Sequence, residues 1–322
     1  MRILLVKTSS LGDVIHNLPV ASDIHHHFPD ARIDWAVEES FAEIPRLHPA
    51  VANVIPVAPR RWRRSLLDPR TRADIARLRA RLAEGAYDFV IDTQGLIKSA
   101  LIARLAPGQR IGLDWVSSRE PLRPFYHRTC RVPWGQHAVE RNRKLAGLAL
   151  GYEPSRPADY GIRAPDLDPL PEWAGPLSGR AYAVMLHATS AAEKLWPELQ
   201  WVKLDDHLHH RGLTSVLPWG SNAERERSEH IASLAKAGFV PPRLDLTEAA
   251  WLLGNAQIVF GVDTGLSHLA AALGTPTVGI YCATDPAATG LYGAPRARSV
   301  GTTGQPPSVG EVIGAERQLL GS

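Results

Sequence analysis

The sequence holds only two cysteines, Cys130 and Cys282, too far apart to suggest metal-ligand spacing or a disulfide framework. A disulfide scaffold and a small zinc module are thereby excluded. No apolar run approaches the roughly 20 residues of a membrane-spanning helix, and the first one ends at Lys7, short of a signal-peptide core. The expectation is a cytosolic chain that starts with a β-strand. Also missing are internal repeats, low-complexity tracts and a G-x-G-x-x-G dinucleotide fingerprint.

What is present is 322 residues with 44% hydrophobic and 21% charged side chains, enough for two domains of roughly 150 residues. The net charge of +3 hides an asymmetry. Residues 1–150 carry 23 Lys and Arg against 15 Asp and Glu, whereas the remainder carries 13 against 18. The basic excess is densest in "RRWRRSLLDPRTRADIARLRAR", residues 60–81, with nine arginines and two acids. Such a patch suits a phosphorylated or otherwise anionic partner, the plainer alternative being a solvated helix face.

Short apolar runs alternate with helical patterns in both halves. In the first, "ILLVK", "RIDWAVEE", "NVIPVA" and "YDFVIDTQG" alternate with helices expected near residues 12–28, 69–84 and 96–105. A proline-dense stretch, 153–179, then reads as a linker, and the alternation resumes with "YAVMLHATS", "SVLPWGS", "IVFGVDTG" and "PTVGIYCATD". The fold class that results is α/β, two Rossmann-like doubly wound domains over residues 1–155 and 156–322, with the last helix free to pack back on the first domain. Ligands of such sheets lie beyond the carboxyl ends of the strands.

Each chemically suggestive residue falls where a strand ends. "VKTSSLGDVIHNLP" places Ser10, Gly12 and Asp13 at a helix start, where an Asp commonly serves as a cap. "HATSAAEKLWP" supplies Thr189, Ser190 and Lys194, two hydroxyls and a flexible ammonium that suit a phosphate or form a polar loop. In "DTGLSHLAAALG", Gly265 permits a sharp turn, and the amides of residues 264–267 would point from a helix N-terminus toward an anion. Asp263 suits sugar hydroxyls, and His268 is a sugar or phosphate contact or a packed core histidine.

In combination and in order, these segments, with "WAVEE", "RRWRR", "IDTQGLIKSA", "GLDW", "SREP", "QHAVER" and "LPWGS", resemble the lipopolysaccharide heptosyltransferases, a family of glycosyltransferases. "RRWRR", "DTQGLIKSA" and "SREP" favour the branch that adds the first heptose. The resemblance implies a GT-B fold with two domains facing a cleft, and inverting transfer of heptose from ADP-heptose to a Kdo residue of Kdo2-lipid A. It makes Asp13 the base, Thr189, Ser190, Lys194 and the amides at 264–266 the diphosphate site, and Glu224 the ribose contact. Asp263 and His268 then meet the heptose or the phosphate attached to it. Ser10, Gly12, Arg60, Arg61, Arg63, Arg64, Gln94, Lys98, Arg119 and Arg141 would bind the acceptor. No metal or other cofactor is required, and no nucleic acid is a partner. The enzyme is expected in the cytoplasm, peripheral at the inner membrane. "RLDLTEAAW" should border the adenine yet offers no residue for reading the base. The alternatives are a second or third heptosyltransferase, a related sugar-nucleotide enzyme, or a non-catalytic binder of anionic lipid.

Overall fold

In this computed structural model, which describes residues 1–65 and 67–321, the chain divides after Gly161 into two units, Met1–Gly161 and Ile162–Ser322. The first runs β1 (Arg2–Val6), α1 (Leu11–Ile15), α2 (Leu18–His27), β2 (Arg32–Glu38), α3 (Glu43–Arg46), β3 (Val51–Val57), α4 (Pro59–Arg64), α5 (Pro69–Glu84), β4 (Phe89–Asp92), α6 (Ile97–Leu105), β5 (Gln109–Leu113), β6 (Arg128–Cys130) and α7 (Ala138–Leu150). The second runs β7 (Tyr182–Leu186), α8 (Glu198–His210), β8 (Thr214–Val216), α9 (Asn222–Leu234), β9 (Gly238–Phe239), α10 (Leu246–Gly254), β10 (Ile258–Val262), α11 (Gly265–Ala272), β11 (Thr277–Ile280), α12 (Pro286–Thr289), β12 (Ala297–Val300) and α13 (Val309–Leu320).

Each unit is built on one six-stranded sheet, ordered β3-β2-β1-β4-β5-β6 in the first and β12-β11-β10-β7-β8-β9 in the second. Every pairing is parallel. Counted within each unit, both follow the Rossmann order, so the strand order reverses between β1 and β4 and again between β7 and β10. Those central strands are buried on both faces, which is why they read as unbroken apolar runs and not as alternating ones.

Local chemistry accounts for the element ends. Asp68 caps α5 by accepting from the Arg70 amide at 2.8 Å, Pro69 opens it, and Thr71, Leu78 and Leu82 form its buried stripe. The helix expected over 12–28 is two helices. Pro19 has no amide to continue the first, so the chain restarts at Leu18 behind Asn17. The proline-dense stretch is not a free spacer either. Arg143, buried and paired with Asp23 at 2.8 Å, also donates to the Arg156 carbonyl at 2.8 Å, while Trp173 donates to Glu248 at 3.0 Å. Its first part is fastened to the first unit and its last part to the second. The final helix, α13, is seated on its own unit, where the buried Glu316 accepts from His207 on α8 at 2.7 Å and pairs with Arg211 just past the end of that helix.

Two buried histidines make stability depend on pH. Burial pushes His48, bonded to Ser22 at 2.9 Å, and His187, bonded to Ser228 at 2.7 Å, down to about 4. Both are neutral in the fold, whereas the unfolded chain takes up protons below its ordinary value of about 6.5. Stability is therefore complete above that value and falls as pH drops toward 4, by about 1 kcal/mol per histidine near pH 5.5. Denaturant unfolding at the two ends of this window is expected to show the loss, and a His48→Gln/His187→Gln variant a flatter slope. An equal slope in the variant would mean that these histidines are charged inside the fold.

Candidate active site

Both clusters of polar residues lie at the carboxyl ends of strands that flank the point where strand order reverses. In the first unit the loop after β1 is held by the loop after β4. Gln94 Oε1 accepts from the amides of Thr8 and Ser9, each at 3.0 Å, and Lys98 Nζ donates to Ser9 Oγ at 2.6 Å. The Gln94 loop is shaped in turn by Asp92, fully buried, which accepts from the amides of Gln94 and Gly95, from Ser99 at 2.8 Å and from Tyr126 at 2.8 Å. Burial raises the Asp92 pKa despite those four donors.

Asp13 is the third residue of α1, and its Oδ2 accepts from the Ser10 amide at 2.8 Å and from Ser10 Oγ at 3.1 Å. This is a capping box, so the cap expected of such an Asp is real. It occupies one carboxylate oxygen only, since Oδ1 has no hydrogen-bond partner among the described residues. Behind this loop Lys7 is buried, donating to the Thr93 carbonyl at 3.0 Å and to Asn142 at 3.4 Å. Burial pushes its pKa down, against the opposing pull of Asp13 and Asp92.

The arginines expected to bind an acceptor are not equivalent. Arg61 is engaged by Asp74 at 2.7 Å and Glu39 at 3.3 Å, and Arg60 by the buried Glu38 at 3.2 Å. Arg63 and Arg64, at the exposed end of α4, have no carboxylate partner among the described residues. Trp62, between Arg61 and Arg63, is buried and anchors the helix. Arg141 stacks over Trp134 at 3.8 Å and donates to the Ser117 carbonyl at 2.7 Å, and the like charge of Arg119 acts on it.

In the second unit the loops after β7, β10 and β11 converge on Asp263. Lys194 Nζ lies 2.7 Å from Oδ2, Thr284 Oγ1 donates to the same oxygen at 2.8 Å, and His268 Nε2 is 3.8 Å from Oδ1. Thr189 donates to the Asp263 backbone carbonyl at 3.1 Å. Burial alone would raise the Asp263 pKa, but the contacts from His268, Lys194 and Thr284 outweigh it and hold the group well below the usual carboxylate range. Asp263 is thus a fixed anion and Lys194 its counter-ion, so the residue expected at the diphosphate and the one expected at the sugar form a single pair. Thr284 was not read from the sequence at all; no motif marks it.

Thr264 makes the turn into α11 with extended backbone, so Gly265 opens the helix without serving as the turn residue. The glycine required by close approach is Gly261, where a Cβ would stand 2.1 Å from Ser267 Oγ. Ser267 in turn donates to the Val262 carbonyl at 2.7 Å and its amide bonds the Thr264 carbonyl, which leaves the Gly265 and Leu266 amides at the helix start for an anion. Ser190 is exposed on the neighbouring loop. Glu224 caps α9, Oε2 accepting from the amides of Gly220 at 2.7 Å and Ser221 at 3.1 Å. Its other oxygen is without a partner among the described residues. Asp245 and Glu248, the acids of "RLDLTEAAW", form a capping box on α10, which accounts for their presence without any role in base recognition.

Two parallel Rossmann-type sheets, each with a polar cluster at its reversal point, have the architecture of the GT-B glycosyltransferases, and the family model for glycosyltransferase family 9 (heptosyltransferase) matches residues 75–312. The chain belongs to that family. It is similar to lipopolysaccharide heptosyltransferase 1 of Pseudomonas aeruginosa, 48% identical over 299 residues that cover 91% of this chain and 82% of the relative. It is likewise 46% identical to lipopolysaccharide heptosyltransferase 1 of Escherichia coli K12, covering 91% of each. Among solved structures, E. coli heptosyltransferase WaaC with ADP superposes with a TM-score of 0.90 at 41% identity, covering 99% of this chain and 100% of that one.

Proposed function

We propose that this enzyme transfers L-glycero-D-manno-heptose from ADP-heptose to the Kdo of Kdo2-lipid A, with inversion, working at the cytoplasmic face of the inner membrane as a peripheral protein. The observation that carries the donor half is the Lys194–Asp263 pair beside the open amides of α11. An ammonium and a helix N-terminus meet the charge of a departing diphosphate, and a fixed carboxylate accepts hydrogen bonds from sugar hydroxyls. With that charge so met, the reading calls for no metal ion. Ser190 adds a hydroxyl to the diphosphate and Glu224 offers its second oxygen to the ribose.

In the first unit the acceptor hydroxyl gives its proton to Asp13 Oδ1 as its oxygen bonds the anomeric carbon and the bond from that carbon to the diphosphate breaks. Ser10, Gly12, Gln94 and Lys98 shape the surroundings of that carboxylate, and the arginines meet the carboxylates and phosphates of the acceptor. Release of ADP from ADP-heptose, dependent on Kdo-bearing lipid A, is the experiment that tests the reading. No release with that acceptor, but release with a heptosylated core, would move the protein to a later heptose addition.

The unequal engagement of the arginines has a measurable counterpart. Arg63→Ala and Arg64→Ala are expected to raise the acceptor KM about fivefold to tenfold each, the worth of a charge-assisted contact to an anionic substrate. Arg61→Ala should change KM about twofold at most, because its guanidinium is held by Asp74 and Glu39. Steady-state kinetics with varied acceptor decide it; equal effects at all three positions would mean the Arg61 pairs open for substrate.

A further inference from the structure

Among the described residues no helix is long and apolar enough to cross a membrane. The tryptophan of the most basic segment, Trp62, is buried and has no side chain to offer a bilayer. The exposed aromatic surface of the first unit lies elsewhere. At the carboxyl ends of β5 and β6, Trp115 is 75% exposed, Trp134 48% and Val116 41%, and Ile97 at the start of α6 is 40% exposed. Water-exposed tryptophans beside aliphatics on one loop cluster are unusual on a surface with no other use for them.

The cluster is rigidly built. Asp114 Oδ1 accepts from the Ser117 amide at 2.8 Å, Ser118 Oγ donates to the Asp114 carbonyl at 2.8 Å, and Val132 donates to Ser117 Oγ at 2.8 Å. Trp134 Nε1 donates to the Val116 carbonyl at 2.7 Å, and Glu120 accepts from the Ile97 amide at 2.5 Å, which joins the loop to α6. Trp115 and Val116 therefore stand on a turn braced by Asp114, Ser117, Ser118 and Trp134. Around them positive charge predominates: Arg119, Arg131 and Arg141 outnumber the carboxylates of Asp114 and Glu120, and Glu140 is paired with Arg143.

We propose that this loop cluster is a docking platform for an anionic bilayer, with Trp115 and Val116 seated in the interface and Arg131 against lipid headgroups. Tryptophan favours that boundary because its ring is apolar and its N–H polar, and arginine keeps its charge among phosphates while its stem covers apolar surface. Neither signal alone holds a protein to a membrane; the pairing of a small apolar insertion with positive charge does. The proposal rests on the reading of a lipid-borne acceptor for its purpose, but its test uses vesicles without either substrate, so the two fail separately.

Co-sedimentation with phosphatidylglycerol-containing vesicles, against vesicles of phosphatidylcholine alone, measures the platform. The wild-type chain is expected to partition onto the former. A Trp115→Ser/Val116→Ser variant should lose about tenfold in partitioning, Trp115→Phe should keep most of it, and Arg131→Glu should weaken binding to the anionic vesicles alone. Leu199→Ser, which removes an exposed leucine of the second unit, should change nothing. With a soluble Kdo acceptor lacking acyl chains the double variant should turn over as wild type does. Partitioning of the double variant equal to wild type overturns the proposal, as does a wild type that ignores anionic vesicles. A loss of self-association without loss of vesicle binding would assign the face to a second copy of the chain and overturn it too.

Discussion

Replacing Asp13 by Asn is expected to lower turnover about a hundredfold or more, the usual worth of a positioned general base, while leaving stability and ADP affinity close to native. Geometry makes this substitution discriminating. The amide oxygen of Asn still accepts from the Ser10 amide and hydroxyl that now bond Oδ2, so the start of α1 keeps its cap. What Asn cannot do is receive a proton. Thermal unfolding and ADP calorimetry of the variant, alongside its rate of ADP release, separate the two roles of this carboxylate. Turnover within about tenfold of wild type would leave Asp13 a cap and nothing more.

The second large effect concerns the pair in the other unit. Lys194→Ala is expected to lower kcat/KM for the donor about a hundredfold and to weaken ADP itself, because an ammonium facing a diphosphate stabilises the bound and the departing group alike. The 2.7 Å contact with Asp263 adds a signed companion. In Asp263→Asn the ammonium is no longer shared with a carboxylate, so ADP should bind as tightly as in wild type or tighter, while turnover falls with the loss of the sugar contact. Calorimetric titration of ADP into both variants is the measurement. Native affinity in Lys194→Ala would remove that side chain from the diphosphate site, and weakened affinity in Asp263→Asn would show that the carboxylate's part is to hold Lys194 in place.

What could be read from the sequence was local. Asp13, Thr189, Lys194, Asp263 and Thr264 each lie within eight residues of the end of an apolar strand, and a strand followed by a helix is legible from periodicity over a short window. The stripe and proline start of α5 have the same character. Contacts between distant segments were not legible: Gln94 and Lys98 reach Ser9 across more than 80 residues, and Lys194 reaches Asp263 across 69. Nothing in "RRWRR" distinguishes Arg61 from Arg63, because the difference is supplied by Asp74 and Glu39 from other elements. Gly265 drew attention by its neighbours, whereas Gly261, enclosed in an apolar strand, shows its need only once Ser267 is seen folded back onto it.

The fastening of Arg143 to Asp23 and to the Arg156 carbonyl bears on how the chain is made. All six strands of the first sheet, the helices packed on them and the start of the proline-dense stretch are complete by residue 161. Once the ribosome has added a tunnel's length of the second half, every backbone pairing partner of the first unit is outside, and domains generally fold as units during synthesis. The buried guanidinium closes that first unit at its trailing end, so strands of near-identical texture from the second sheet emerge to find no open edge of the first awaiting its own missing members.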